Sequence, residues 1–451
     1  MNPSPATKEG LLPMLQLAFP VIVINLSMTL MQFVDALMVS VLGEKPLAAS
    51  LPAGLLFFVP VAFLMGLLGA VNTFVSQCLG RNEAHKCGHY AWQGIFLAGL
   101  TGFCLLAMWW AAPAIFKLLD HEPEVQALEV TYFRISLFGG IPMLCGMALS
   151  NFFIGIHRTN ILAWLAVGAT LLNIFFNWVF IFGNLGAPAL GLGGAALGTV
   201  LAASTQTIAL FIAFTRPGLR QQFGTRLVGP CRKSLANLLR IGLPSGMQYG
   251  FDILSWGVGL IWMVGLFGTA SLAATTIIVR CMHIGFMPTI ALATVLVAMV
   301  GKAIGEGNLE LANRHTRTAM HATLAYMGTV AVLFFVFRYE IIGVFSRSEE
   351  VLAVGASIMI LVALFQIFDA LNIVYSHALR GAGDTFWQAT ATAILCLSVF
   401  VGGGTLVIHF LPGLGAVGPW LMGTIYIVFL GLAMAWRWLR GPWRQMQIFS
   451  H

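Results

Sequence analysis

Apolar residues run in stretches of about twenty or more, separated by short polar segments, from one end of the chain to the other. A helix rises 1.5 Å per residue and the hydrocarbon layer of a bilayer is about 30 Å thick, so each stretch is long enough to cross it. Twelve spans are predicted, at residues 13–41, 50–78, 91–116, 130–155, 161–183, 191–215, 238–266, 271–300, 316–338, 351–378, 387–409 and 416–438. The first stretch is too long for a cleavable signal peptide and lacks a small-residue cleavage site, so it is expected to stay in the membrane. The fold class is therefore an all-α polytopic membrane protein.

Three aspartates, Asp35, Asp252 and Asp369, interrupt this pattern, each the only acid in its span. An ionised carboxylate near the bilayer centre costs roughly 2.5–3.5 kcal/mol even on the insertion scale, so acids placed there face an internal cavity and handle an ion or a substrate. Steps of three and four residues return to one helix face. Polar stripes follow: Asn25, Met28, Gln32 and Asp35 in span one, Ser245, Gln248, Asp252 and Ser255 in span seven, and Gln366, Asp369, Asn372 and Ser376 in span ten. Thr170, Asn173 and Asn177 add neutral groups in span five.

The chain also resembles itself at an offset of 224 to 226 residues. Pro20 registers with Pro244, Leu47-Ala48-Ala49 with Leu272-Ala273-Ala274, Gly80 with Gly305, Gly155 and Thr159 with Gly381 and Thr385, and Gly198-Thr199 with Gly423-Thr424. Six spans per copy is an even number, so both copies insert in the same sense, as two six-helix lobes related by a pseudo-two-fold along the membrane normal. The predicted division is an N-terminal lobe 1–215, a basic linker 216–237 and a C-terminal lobe 238–451. The acids ignore the repeat: Asp35 aligns near Gly259, Asp252 near Met28 and Asp369 near Met143. The lobes share architecture and differ in chemistry.

Charge changes the picture in one way. Only 9% of the 451 residues are charged, against about 25% in soluble domains, and 59% are hydrophobic. The net charge of +7 comes from Lys and Arg gathered on alternate loops, among them Lys8, Arg81, Lys86, Arg158, Lys302, Arg314, Arg380 and Arg437. The positive-inside rule then sets both termini in the cytoplasm. The densest basic stretch, Arg216 to Arg240, reads as an anchor beside anionic headgroups and not as a nucleic-acid surface. Seven cysteines lack a CxxC pair and are expected to be thiols. No GxxxxGK[ST] run exists, which argues against ATP-driven transport.

Arg280 stands alone about nine residues into span eight. It is expected to pair with Asp252 or Asp369, the alternative being that it snorkels to the interface. His283 and His377 are expected to be packed or interfacial, and not protonated relays. Gly242, Gly246 and Gly250 form a small-residue ridge for close helix approach, and Gly402-Gly403-Gly404 is a candidate hinge.

Four stretches together resemble one known family: LAFPVIVINLSMTLMQFVDALMVSVLGEKPLAA (17–49), FGNLGAPALGLGGAALGT (182–199), IGLPSGMQYGFDILS (241–255) and DALNIVYSHALRGAGDT (369–385). They look like the multidrug and toxic compound extrusion family, nearest to its NorM-type bacterial branch, over essentially the whole chain. The resemblance implies twelve helices in two lobes forming a V, and export of organic cations in exchange for inward H+ or Na+. It also implies roles for acids in spans one, seven and ten, which match Asp35, Asp252 and Asp369. Two positions depart: Asp252 stands where the branch commonly has glutamate, and Phe365 where some members carry tyrosine.

The expected function is thus an inner-membrane antiporter exporting amphiphilic organic cations, acting as a monomer among membrane lipids, with no nucleic-acid partner and no cofactor beyond its coupling ion. Desolvation favours a neutral carboxyl, which suits proton exchange, while carboxylate and amide oxygens suit a hard cation such as Na+ equally. Asp35, Asp252 and Asp369, with Asn173 and Asn177, are the coupling candidates, and Asp252 with Asp369 is the pair for Na+. Gln32, Gln248, Tyr249, Trp256, Arg280 and Asn372 are the candidate substrate contacts, because an organic cation pairs with a carboxylate while its rings lie on aromatic faces. A flippase for a lipid-linked or oligosaccharide substrate is the alternative, though it would favour a more cationic cavity. A polytopic enzyme is less favoured, since Asp384 and His157 form no acid/base or metal set.

Overall fold

The computed structural model describes residues 10–119 and 121–449, so Lys8 lies outside the described residues. They form helices and no strand. Span one is Leu11–Ser40 and span two Glu44–Gly80. Span three is Ala84–Leu106 followed by Met108–Lys117, bent by 47°. Spans four to six are Pro123–Gly155, Asn160–Phe182 and Leu192–Phe214. Span seven joins Arg232–Ile253, a π-helical stretch Leu254–Gly259, and Leu260–Gly265. Spans eight to ten are Thr269–Gly305, Leu309–Val336 and Glu349–Ala382. Span eleven runs Thr385–Phe410 with a π-helical stretch at Cys396–Gly402, and span twelve is Val417–Arg440.

Among the described residues, ten helices are long and apolar enough to cross a membrane, and the bent pair of span three makes an eleventh. Span seven is the twelfth. Its first half carries Arg232, Lys233, Arg240, Gln248 and Asp252, which dilute its hydropathy although the helix is long enough.

Contacts divide the chain into two compact units, one built on Gln16–Gly246 and the other on Met247–Ile448. In the first, Val61, Leu64, Leu67 and Leu68 of span two pack with Leu97, Ala98 and Leu105 of span three and Phe133, Leu137, Leu144 and Ala148 of span four. In the second, Ala293 of span eight, Met327 of span nine, and Ala370 and Ile373 of span ten form a core. The internal repeat is visible in individual contacts. A Cβ on Gly155 would meet Val75 and the Asn72 carbonyl, and one on Gly381 would meet Val300 and the Val297 carbonyl. All three pairs of positions, Gly155/Gly381, Val75/Val300 and Asn72/Val297, are related by the sequence offset, so one close crossing is used in both lobes.

The basic segment after span six is bolted to span three. Trp92 Nε1 donates to the Thr225 carbonyl at 3.3 Å, Gln93 Nε2 to the Gly229 carbonyl at 3.1 Å, and the Cys231 amide to Gln93 Oε1 at 2.8 Å. The seven cysteines, expected as thiols, are unpaired.

Glycines divide into those that permit close approach and those that do not. Gly242 and Gly246 sit against the Leu67 and Phe63 carbonyls of span two, and Gly194 against the Phe180 carbonyl of span five. Gly403 and Gly404, read above as a hinge, lie against Met422 and Met263, so their smallness is used in packing. Gly257, in the span-seven π stretch, meets nothing nearer than Ile253 Cγ2 at 3.9 Å. Gly194→Ala is therefore expected to destabilise by roughly 1–3 kcal/mol, because a backbone carbonyl cannot swing aside. Gly257→Ala should be neutral or stabilising by up to about 1 kcal/mol, as removing helical glycine reduces the entropy lost on folding. Thermal unfolding of the two purified variants in one detergent checks the contrast.

Candidate functional site

Each lobe holds one acid-centred polar cluster. In the N-terminal lobe, Asp35 of span one is half-buried and meets Asn177 of span five and Thr199 of span six. Asn177 Nδ2 donates to Asp35 Oδ1, and Thr199 Oγ1 lies 3.4 Å from Asp35 Oδ2. Asn173 Nδ2 donates to Thr199 Oγ1 at 3.2 Å, and Asn177 Nδ2 is shared with Asn173 Oδ1 at 3.3 Å. Asn173 and Asn177 are one turn apart and completely buried, as their spacing requires. Gly198 opposite has no Cβ; one there would collide with Asn177 Oδ1. That oxygen is itself buried without a hydrogen-bond partner among the described residues. Three neutral side chains thus surround one carboxylate, with an acceptor left over.

In the C-terminal lobe, Asp369 is 8% exposed and forms the head of a ladder along span ten. Asn372 Nδ2 donates to Asp369 Oδ1 at 3.2 Å, and Ser376 Oγ donates to Asn372 Oδ1 at 3.2 Å. Asp252 of span seven lies within electrostatic reach of Asp369, and the Tyr426 hydroxyl of span twelve faces its carboxylate. One turn beyond Asp252, Trp256 packs edge-on to Phe365 at 5.2 Å between centroids, and against Phe400 at 5.1 Å and Trp420 at 6.1 Å. Phe365, the departure noted above, is buried in this wall. The two π-helical stretches meet beside it, where Ser255 Oγ and Cys396 Sγ lie 2.8 Å apart. Such stretches are rare and concentrate at functional positions.

Other expected residues fall differently. Gln32 is exposed on span one and joins no hydrogen bond among the described residues. Gln366 is fully buried but stays apart from the Asp369 ladder, its Nε2 turned toward Gly285 of span eight. His377 packs as expected, with Nδ1 at 2.7 Å from the Ile373 carbonyl, and His283 is exposed.

Arg280 requires correction. Its side chain is exposed and makes no ion pair with Asp252 or Asp369. A long stem lets the guanidinium leave the lobe interior, so no buried partner is needed. The cation within electrostatic reach of Asp252 is Arg380, assigned above to an inner loop but held 8% exposed inside span ten. Its Nη2 donates to Gln248 Oε1 at 3.2 Å, and its guanidinium lies 5.4 Å from the Tyr249 ring centroid.

The remainder of the LRGAGDT segment is a helix end. Gly383 adopts φ +88, the Asp384 amide returns to the Leu379 carbonyl at 2.9 Å, and the helix stops. Asp384 then takes a two-pronged ion pair from Arg437 of span twelve, Nε to Oδ2 at 2.6 Å and Nη2 to Oδ1 at 3.2 Å. Asp384 is 1% exposed, so Asp384→Ala leaves Arg437 without its partner. The expected cost is toward the lower end of the roughly 3–5 kcal/mol for breaking a buried pair, read as a lower unfolding temperature with ion binding at Asp35 unaltered.

Thr199, Tyr426 and Arg380 are the site residues that reading the chain missed. Thr199 carried one signal, its place in the repeated Gly-Thr pair.

A family model described as MatE matches residues 20–179 and 253–403. The chain is 30% identical over 439 residues to a probable multidrug resistance protein NorM of Mesorhizobium japonicum, covering 94% of this chain and 93% of that one. It is 28% identical over 386 residues to the multidrug resistance protein NorM of Aliivibrio fischeri, covering 84% and 82%. Among solved structures, a Vibrio cholerae MATE transporter superposes with a TM-score of 0.86 at 19% identity over 97% of both chains. A transporter of Pyrococcus furiosus superposes with 0.85 at 22% identity over 96% of both. These structures share the two-lobe, twelve-helix fold.

Proposed function

The chain belongs to the MatE family of multidrug transporters, and from that premise we propose that it exports amphiphilic organic cations across the inner membrane in exchange for H+ or Na+. It is a multi-pass transporter and not an enzyme; the exchange, the ion and the substrate class are the proposal. The observation that carries it is the pair of acid clusters, one in each lobe, built from residues that tolerate both an ionised and a neutral carboxyl. Around Asp35, amide nitrogens donate to the carboxylate while Asn177 Oδ1 and Thr199 Oγ1 offer oxygens to a hard cation. Around Asp369 and Asp252, the Asn372 amide and Tyr426 hydroxyl do the same.

In this reading, ion and substrate cation compete for one carboxylate charge. An acid that has bound a proton or Na+ no longer attracts an organic cation, so ion entry expels drug. Exchange follows from that competition when the sites are reached from one side at a time, with both termini in the cytoplasm. The protein acts as a monomer, each lobe carrying its own acid cluster. Trp256, held in place by the buried Phe365 and Phe400, supplies the aromatic face on which a flat cation rests near Asp252.

Dye efflux from proteoliposomes, with a pH gradient and a Na+ gradient imposed separately, tests the proposal. Efflux driven by either gradient supports it. Efflux driven by neither, or driven only by ATP, overturns it.

A further inference from the structure

Arg380 is, among the described residues, the basic side chain held in the field of Asp252, and its neighbours in the helix-ending segment are engaged elsewhere. Gly381 fits the crossing with span eight, Gly383 takes the left-handed turn, and Asp384 pairs with Arg437. Arg380 instead continues the polar ladder of span ten. Asp369, Asn372, Ser376 and Arg380 are spaced by three, four and four residues, so the guanidinium stands on the same face as the acid. It then reaches span seven. Its Nη2 donates to Gln248 Oε1 at 3.2 Å, one turn of helix before Asp252, and its guanidinium carbon lies over the Tyr249 ring.

The groups facing this cation come from every element around it. Gln248, Tyr249 and Asp252 lie on span seven and His377 on span ten, while Asp369 of span ten and Tyr426 of span twelve act on the same Asp252 carboxylate. Among the described residues the cluster in the other lobe has no such cation: Asp35 is met by Asn177 and Thr199, with Asn173 behind them and Tyr132 within electrostatic reach. A fixed positive charge is therefore built into one site and absent from the other.

We propose that Arg380 is a resident cation of the C-terminal site, standing in the field of Asp252 where an organic cation arrives and weakening the hold on that cation so that it can leave. The inference rests on the reading of Asp252 as a substrate-facing acid. A transporter gains from such a group because a carboxylate alone in a low-dielectric interior would bind a cation tightly and release it slowly. Arg380 keeps part of the Asp252 charge compensated at all times. The Gln248 bond and the Tyr249 ring fix its distance, since a guanidinium that swung fully onto the carboxylate would close the site. Arg380 touches neither ion nor substrate in this scheme; it is a positioning residue acting through Asp252.

The test uses the full-length transporter in detergent and tetraphenylphosphonium as the probe, with binding read by tryptophan quenching and turnover by efflux from proteoliposomes. Arg380→Gln is expected to bind the probe about tenfold more tightly, the scale of removing one unit charge about 12 Å away at an effective dielectric near 20. Its turnover should fall by a similar factor. Arg380→Lys, which keeps the charge, should restore most of the wild-type affinity, an outcome that a merely structural role would not give. In the Asp252→Asn background the tightening should vanish. Where Arg380→Gln does not fold, Arg380→Met, of similar volume and apolar, carries the same expectation. Unchanged or weaker binding in the folded neutral variant, with Asp252→Asn still weakening the probe, overturns the inference and leaves the function standing. Equal binding by wild type and Asp252→Asn overturns the reading of Asp252 itself.

Discussion

Asp369→Asn is expected to leave the transporter folded and inserted while removing its ability to build a drug gradient. The side chain keeps its volume, and the Asn372 amide that donates to Asp369 Oδ1 finds the same oxygen position on asparagine. The structural cost is that of trading one charge-assisted hydrogen bond for a neutral one, about 1 kcal/mol, offset by no longer burying a charge. The functional cost is much larger. A tenfold ion gradient coupled one-to-one supplies about 1.4 kcal/mol and sustains about a tenfold drug gradient; an uncoupled carrier sustains none. Steady-state dye ratios in energised vesicles should therefore collapse to about one in the variant, with the amount of protein in the membrane unchanged. Full drug resistance in cells carrying Asp369→Asn would remove this residue from the coupling scheme.

What could be read from the chain follows from how local each feature is. Span positions are set by runs of apolar residues, a property of contiguous sequence, and the helices observed agree with the stretches expected. Span seven shows the limit of that signal, because Arg232, Lys233 and Arg240 share its helix with the buried Gln248 and the half-buried Asp252. The i, i+4 pair Asn173 and Asn177 was legible because helical spacing alone puts both on one face. Thr199 was not, since its role exists only when span six is laid against spans one and five. The two arginines make the same point. Arg280 lies well inside an apolar run and is exposed, whereas Arg380 lies at the edge of one and is buried. Counting positive charges near span ends assigns Arg380 to the cytoplasm, but its helix continues to Ala382 and carries the side chain inward. Position along a hydropathy profile gives depth in the membrane; it does not give the side of the helix that faces the lobe interior.

Replacement of Asp35 by asparagine should reduce efflux at least several-fold while Asp252 and Asp369 are intact, because the N-terminal cluster is complete within its own lobe. Asn177, Asn173 and Thr199 all belong to spans five and six, and their side-chain to side-chain hydrogen bonds close on Asp35 and on one another. The fold should survive the change, since an asparagine oxygen still accepts from Asn177 and its amide can donate to Thr199. Wild-type efflux in Asp35→Asn would confine coupling to the C-terminal lobe. A second substitution separates the ions. A proton needs only the Asp35 carboxylate, whereas a hard cation needs several oxygens at once, and the unpartnered Asn177 Oδ1 is one of those available. Asn177→Ala should therefore abolish stimulation by Na+ while sparing stimulation by a pH gradient if Na+ binds in this lobe. Equal loss of both would identify Asn177 as a support for the carboxylate itself, and a proton as the ion that Asp35 carries.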